Sequence, residues 1–129
     1  IPSVTHSLLT NQKVPATSGE QVRDFLHVDD VAAAFVALCK NNCEGLYNIS
    51  SGNPVTMRAL LETTAQIVGH PDKIQFGSRP KNLFDPPYIV GNSQRLQNLG
   101  WSPQYSLHEG LREMVNWCRN NQDLGSSSE

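Results

Sequence analysis

The sequence has no excess of basic residues and no long apolar run. Ten Lys and Arg stand against twelve Asp and Glu, which gives a formal net charge of -2. Tracking a phosphate backbone requires a patch or stripe of cations, so nucleic-acid binding is disfavoured. A membrane-spanning helix needs roughly 18 to 20 apolar residues, and the longest apolar runs here are far shorter. We therefore expect neither nucleic acid nor a membrane as a partner, and no secretory signal.

Cysteine is scarce as well. The chain has three cysteines, Cys39, Cys43 and Cys118, an odd number that is too small for a disulfide scaffold. No His or second Cys pair completes a zinc site around Cys39 and Cys43. The pattern predicts reduced thiols in a cytoplasmic protein without a bound metal.

Two common catalytic patterns are missing. No Gly-x-Ser-x-Gly sequence is present, so acyl transfer from a nucleophile elbow has no support. The four histidines lie on different predicted elements, and we interpret each as structural or exposed. Asp29 and Asp30 are adjacent, and their side chains would point in different directions at a helix start. We interpret one as a helix cap and both as complements of the helix dipole, and not as an acid and base pair.

An alternation of short strand and helix patterns is present in the 129 residues, which suffice for one domain. Helical patterns occupy 1–11, 31–38, 56–69, 93–99 and 106–119, and strand-like patterns occupy 23–28, 46–50, 73–76 and 88–90. Periodicity of this kind predicts an α/β fold, or a small α+β-like unit, with few short strands and three to four helices.

Capping residues mark several helix ends. Asp29 is predicted to cap the helix that follows it, and Thr56 the next one. Gly69 is predicted to end that second helix. Ser106 and Glu109 have the spacing of a capping box, in which each residue bonds to the backbone of the other.

Two arginines precede features that would fix their positions. Arg23 is followed by Asp24, whose carboxylate can hold the guanidinium and direct it at an anion. Arg79, followed by Pro80, begins a long polar loop that contains Asp85. A guanidinium can bind phosphate through two parallel hydrogen bonds. Two such residues on separate loops suit a phosphate-bearing ligand, and the alternative interpretation is a pair of solvated surface arginines.

Several motifs occur in a fixed order along the chain: RDFLHVDDVAAAFVAL, GLYNISSGNPVTMRALLETTAQIVG, a later Arg-Pro, and LGWSPQYSLHEGLREMVNW. Together they resemble the C-terminal half of the NAD-dependent sugar epimerase/dehydratase family, the extended short-chain dehydrogenases that act on nucleotide sugars. The resemblance covers residues 1–120. It implies the fold of the C-terminal, substrate-binding part of an extended Rossmann-type epimerase.

The resemblance also implies roles for three side chains. The Arg of the family's Arg-Asp pair contacts the diphosphate of the nucleotide sugar, and Arg23 matches it. The Arg-Pro of the later loop contributes a second phosphate contact, and Arg79 matches it. An acidic residue after that arginine binds the ribose, and Asp85 matches it. The loop is longer than the family pattern, and Asn92 stands where the family has Asp.

Two parts that the resemblance implies are missing. The family's NAD site is a Gly-rich turn after the first strand, and none of the nine glycines shows that spacing. The family's catalytic base is a Tyr with a Lys four residues later, whereas the residues at that position after the three tyrosines are Ser51, Asn92 and Glu109. We therefore expect no cofactor and no catalytic residue in this chain, although the full-length family binds NAD.

We interpret the chain as a truncated nucleotide-sugar epimerase or dehydratase. Residues 1–122 would form the substrate-binding domain without its N-terminal Rossmann part, and the polar tail at 123–129 is predicted to be disordered. The chain would retain contacts to a nucleotide sugar and be inactive alone. Two alternatives stay open. One is a non-enzymatic self-associating or protein-interaction module derived from this fold, and the other is one half of a split enzyme.

The helix at 31–38 is apolar on nearly all sides. Such a helix should be buried on several sides, and a sheet of few strands cannot cover them all. Large exposed apolar patches usually mark interaction surfaces. We therefore predict a homo-oligomer, with a two-fold dimer as its form, through this helix or the strand containing Tyr47, or contact with a missing Rossmann half. The alternative is a monomer in which the N-terminal helix covers the patch.

Overall fold

The computed structural model describes residues 1–121 and confirms the α/β class. The helices are α1 (Pro2–Leu9), α2 (Val28–Lys40), α3 (Met57–Val68), α4 (Gln94–Gln97) and α5 (Leu107–Asn120). The strands are β1 (Val14–Pro15), β2 (Val22–Asp24), β3 (Pro54–Thr56) and β4 (Ile74–Gln75), with a 3-10 turn at Pro71–Lys73. The described residues thus contain five helices, one in each of the five helical patterns and more than the three to four expected of the fold, and α4 is a single turn.

The strands form two small pairs. β1 and β4 are parallel, with Val14 opposite Ile74. β2 and β3 are antiparallel, with Arg23 opposite Val55. An isolated parallel bridge joins Val22 to Tyr88, within the segment that the sequence predicts as a brief strand. β2 therefore lies between β3 and the end of the polar loop.

Helices α1, α3 and α5 pack against one another and supply most of the core. Leu8, Val14 and Ala65 form one buried cluster. On α5, Leu111 and Val115 are buried as their helical spacing predicts. Trp117 on the same helix is largely exposed.

A second buried cluster covers one face of α2. It contains Ala34, Leu96 and Trp101, and Tyr47 and Ile49 pack against it. The sequence predicts that α2 is buried on several sides. Within residues 1–121 only one face is buried, and the opposite face, which includes Phe35 and Val36, is exposed.

The caps of α3 and α5 are as predicted, and that of α2 is not. The Thr56 hydroxyl accepts a hydrogen bond from the Ala59 backbone N–H, and Ser106 and Glu109 form the capping box. Asp29 is not the cap of α2, because the helix begins earlier, at Val28. The cap is His27, whose Nδ1 accepts from the backbone N–H of Asp29 at 3.3 Å.

Two strand predictions need correction. The strand predicted at 23–28 is shorter and lies at 22–24, because the following residues turn into α2. Residues 46–49 of the segment 46–50 alternate between exposed and partly buried positions, as in a strand, but the segment pairs with no strand among the described residues. A strand forms only where a neighbour satisfies its backbone groups, and residues 1–121 supply none there.

Three predictions remain: a disordered tail, no membrane-spanning helix and no bound metal. The tail at 123–129 lies outside the described residues. Within 1–121, no helix has both the length and the apolar character needed to span a bilayer. The same residues contain no cluster of three or more His, Cys, Asp or Glu side chains that could hold a metal ion.

Candidate functional site

Strand β2 directs Arg23 and Asp24 to opposite sides, because successive side chains of a strand alternate. The Asp24 carboxylate accepts four hydrogen bonds, from the N–H and hydroxyl of Ser51 and from the N–H groups of Gly52 and Gly91, at 2.6 to 3.2 Å. The prediction that Asp24 holds Arg23 is therefore wrong. Asp24 instead joins two loops to the strand.

Arg23 is held by a residue distant in sequence. One terminal nitrogen donates to the Val22 carbonyl at 2.8 Å, and the other forms an ion pair with Asp85 Oδ1 at 2.5 Å. Both side chains of the pair are partly exposed. The guanidinium is thus fixed by two contacts and retains N–H donors that a ligand could use.

The polar loop that carries Asp85 is anchored at both ends. At its start, the Arg79 N–H donates to the Ala16 carbonyl at 3.1 Å. At its end, the Val22 N–H donates to the Pro87 carbonyl at 2.9 Å, and Ile89 donates to the Val22 carbonyl at 3.0 Å. The loop therefore passes beside β2, where it brings Asp85 to Arg23.

All three side chains implied by the resemblance line one concavity of about 560 Å³. Arg23, Arg79 and Asp85 share it with the polar residues Thr17, Gln21 and Asn82 and with apolar residues of α1, α3 and β1. Arg79 is exposed and forms no ion pair with any residue in 1–121. Two guanidiniums face one carboxylate here, so the lining favours an anion.

A lysine near the loop start is already neutralised. Lys81 Nζ lies 3.3 Å from Glu20 Oε2. A hydrogen bond from the Ser18 hydroxyl, followed by the interaction with Lys81, lowers the pKa of Glu20 from its usual value. Glu20 is therefore ionised at neutral pH, and the pair adds little net charge near the concavity.

The sequence interpretation missed the function of Asp30. It lies in the first turn of α2 and is only 2% exposed. Its carboxylate accepts hydrogen bonds from the backbone N–H groups of Gln104 at 2.9 Å and Tyr105 at 3.2 Å. Its backbone carbonyl accepts from the indole of Trp101 at 3.1 Å. Asp30 therefore joins α2 to the segment before α5, and its proximity in sequence to Asp29 gives no signal of this.

A second concavity, of about 610 Å³, lies between the start of α2 and α5. His27 stacks on Tyr105 there with ring centroids 4.0 Å apart, and its Nε2 lies 3.3 Å from Glu113. The negative charges of Glu113 and then Asp29 raise the pKa of Tyr105 above its usual value. The lining contains no Lys or Arg, so the larger volume lacks the cations that a phosphate requires.

The two junctions at which a strand leads into a helix, after β2 and after β3, do not fit an NAD pyrophosphate site. Such a site needs a Gly-rich turn between a strand and a helix, where backbone N–H groups approach the phosphates. β2 leads into α2 through Phe25, Leu26 and His27, and β3 leads directly into α3. Neither junction contains a glycine.

Comparisons with known proteins agree on one family. The family model for GDP-mannose 4,6 dehydratase matches residues 1–114. GDP-L-fucose synthase 1 of Arabidopsis thaliana is 37% identical over 111 residues, which is 81% of this chain and 32% of that protein. The chain thus spans about a third of the length of that curated relative.

Solved structures of similar proteins share the fold. The UDP-glucose 4-epimerase of Thermotoga maritima, determined with UDP-glucose, is 27% identical with a TM-score of 0.83, over 93% of this chain and 39% of that one. The dTDP-glucose 4,6-dehydratase of Bacillus anthracis, determined with NAD, is 26% identical with a TM-score of 0.82, over 95% and 39%. The chain therefore belongs to the GDP-mannose 4,6 dehydratase family of NAD-dependent sugar epimerases and dehydratases, and corresponds to part of those proteins.

Proposed function

We propose that the concavity around Arg23 binds the diphosphate of a nucleotide sugar. Arg23 and Arg79 contact the phosphates, and Asp85 accepts a hydrogen bond from the ribose. The observation that carries this proposal is the convergence of all three side chains on one concavity, although more than fifty residues separate Arg23 from the other two. The solved epimerase with UDP-glucose adds support, since its relationship to this chain makes a nucleotide sugar the natural ligand to test.

The geometry around Arg23 supports a binding role over a purely structural one. A guanidinium that is fixed by Asp85 and the Val22 carbonyl loses less rotational freedom on binding than a free side chain does. Its remaining donors match two phosphate oxygens. The surplus of one positive charge over the Asp85 carboxylate favours an anionic ligand over a neutral sugar.

We also propose that the chain provides substrate contacts without performing hydride transfer itself. The junctions before α2 and α3 lack glycine, and no tyrosine is followed four residues later by lysine. In the longer relatives this part would hold the nucleotide sugar while other residues bind NAD and perform the chemistry. One half of a split enzyme would use this chain in the same way.

A protein-interaction role is a second candidate, favoured by the surface of α2. Val28, Ala32, Phe35 and Val36 are exposed and lie three to four residues apart on one face. In the neighbouring segment 46–50, burial alternates over residues 46–49, and no strand among the described residues pairs with it. An apolar helix face beside an unpaired segment suits either a second copy of this chain or a Rossmann half.

Calorimetric titration of the chain with UDP-glucose and GDP-mannose tests the first proposal. We expect weak, saturable binding of at least one of them. Losing a two-point charged contact costs about 1.5 to 3 kcal/mol, so Arg23→Ala should weaken binding about tenfold or more. Arg112→Ala removes an equal charge from the exposed side of α5 and should leave the affinity unchanged.

Two outcomes of that titration would contradict the proposal. The first is that neither nucleotide sugar binds. The second is that the wild type and Arg23→Ala bind with equal affinity. NAD in a parallel titration should give no saturable heat, and saturable binding at micromolar concentration would contradict the absence of a cofactor site.

Analytical ultracentrifugation at tens of micromolar tests the second candidate. We expect a dimer or higher oligomer, which Phe35→Asp should dissociate by placing a charge on the apolar face. Asn116→Asp, at an exposed position of α5, adds the same charge elsewhere and should leave the oligomer intact. A monomeric wild type would contradict self-association.

A further inference from the structure

The tip of the polar loop exposes two large apolar side chains. Phe84 is 94% exposed and Leu83 is 91% exposed. The backbone at the tip is nevertheless held in a turn. The side-chain carbonyl of Asn82 accepts from the Phe84 N–H at 3.0 Å, and its backbone carbonyl accepts from the Asp85 N–H at 3.2 Å. The exposure of Phe84 is therefore a consequence of a bonded turn that presents the ring to solvent.

This turn lies on the rim of the concavity that holds Arg23. Asn82 and Asp85, the residues that flank the tip, both line the concavity. Asp85 is bonded to Arg23, and adjacent Cα atoms are about 3.8 Å apart. Phe84 is thus attached to the backbone next to Asp85, and its ring is exposed outside the lining of the concavity.

An exposed phenyl ring in a turn whose flanking residues line a concavity with two arginines suits a ligand that is anionic at one end and aromatic at the other. Full exposure of a phenylalanine forgoes the stabilisation that burial of its apolar surface provides. A flat ring placed on Phe84 would recover part of it through stacking. A nucleoside diphosphate carries its phosphates, ribose and base in that order. Arg23 contacts Asp85, and Phe84 precedes Asp85 in the chain, so a base that extends out of the concavity past Asp85 would reach the turn that carries Phe84.

We propose that Phe84 is the stacking surface for the base of the nucleoside diphosphate whose phosphates Arg23 and Arg79 bind. This inference rests on the proposed function of the concavity. Stacking of a base on an aromatic side chain is tolerant of base identity, because every base has a π-face. Phe84 therefore increases affinity for nucleotides over inorganic phosphates without selecting one base strongly.

Calorimetric titrations with inorganic pyrophosphate, UDP and GDP separate stacking from phosphate contacts. Pyrophosphate can use the arginines but has no ring to place on Phe84. Phe84→Ala should weaken UDP and GDP binding about tenfold, as expected for one lost stacking contact, and leave pyrophosphate binding unchanged. Phe84→Tyr should retain the wild-type affinities. Leu83→Ala, at the equally exposed neighbouring position, should change none of them.

The possible results distinguish this inference from the proposed function. If UDP and pyrophosphate both bind with a dependence on Arg23 and Phe84→Ala alters neither affinity, the stacking role is wrong and the phosphate site stands. If Phe84→Ala weakens both ligands equally, Phe84 acts on the loop and the stacking role is also wrong. If no ligand shows dependence on Arg23, both proposals are wrong.

Discussion

The two concavities are similar in size and opposite in chemical character. The one around Arg23 measures about 560 Å³ and has two guanidiniums and one carboxylate in its lining. The one around His27 measures about 610 Å³ and has two carboxylates, a tyrosine and mostly apolar walls. By volume alone, the concavity around His27 would be the better candidate for a ligand site. By charge, the concavity around Arg23 is the better candidate for a diphosphate. The comparison shows that the placement of cations decides which concavity suits the proposed ligand.

Each concavity is supported from behind by a carboxylate that accepts backbone hydrogen bonds. Asp24 holds the loops at 50–52 and 91 against β2, whose other side presents Arg23. Asp30 holds Gln104 and Tyr105 against α2, beside His27. The supporting side chains contact protein donors, and the side chains that line the concavities retain capacity for a ligand.

The largest expected effect is from Asp24→Ala. Its four hydrogen bonds contribute about 1 kcal/mol each, so we expect a loss of about 4 kcal/mol in the free energy of unfolding, a large share of a typical domain's stability. Urea unfolding measures it. A loss below about 1 kcal/mol would contradict the supporting role of Asp24.

Asp30→Ala should have the next largest effect. The substitution leaves two backbone N–H groups without their charged acceptor, at about 1.5 kcal/mol each. We expect a loss of about 3 kcal/mol in the same assay. Because Asp30 supports the other concavity, UDP affinity measured below the unfolding transition should stay at the wild-type value. A selective loss of UDP binding in the folded variant would contradict the assignment of Asp30 to the concavity around His27 and not to the one around Arg23.

Arg23→Ala should have the opposite profile. Its ion pair with Asp85 is partly exposed, and such pairs contribute about 1 kcal/mol or less to stability. We therefore expect a small change in the free energy of unfolding together with the tenfold loss of nucleotide-sugar affinity described above. Strong destabilisation with unchanged affinity would make Arg23 a supporting residue like Asp24.

The smallest expected effect concerns the titration of Tyr105. Glu113 is the largest cause of its raised pKa, so Glu113→Gln should lower that pKa toward the usual value for tyrosine. Ultraviolet difference spectra at alkaline pH follow the phenolate, and Tyr105→Phe identifies its share of the signal. An unchanged pKa in Glu113→Gln would mean that the carboxylate does not act on the ring.

The raised pKa of Tyr105 also determines how the free energy of unfolding changes with pH. The folded state binds the Tyr105 proton more tightly than the unfolded state does. Its contribution to stability is therefore fully present below the ordinary tyrosine pKa and is lost as pH rises through the folded pKa. Glu113→Gln should reduce this alkaline loss.

Local features of the fold could be predicted from the sequence, and pairings between distant segments could not. The caps at Thr56 and Ser106 and the helices after them follow from short-range hydrogen bonds and periodicity. The segment 46–50 has the right alternation and still pairs with no strand among residues 1–121, because pairing depends on a neighbour that the local pattern does not specify.

In the candidate site, too, contacts between distant segments could not be predicted from the local sequence. Adjacency in sequence predicted an Arg23–Asp24 contact, but a strand turns neighbours to opposite sides. The actual partner, Asp85, is 62 residues away. The sequence marked Asp85 only as part of a polar loop, and no local pattern linked it to Arg23. Thr17 and Gln21 line the concavity too and belong to no motif that would have marked them.

The most direct test of the central claim is a map of where a nucleoside diphosphate binds. Two-dimensional amide spectra of the nitrogen-15-labelled chain, recorded during titration with UDP, report each backbone N–H separately. The account predicts shifts at Arg23, Arg79 and Asp85, with the signals of His27 and Tyr105 unmoved. Shifts centred on His27 and Tyr105, or no shifts at saturating UDP, would contradict it.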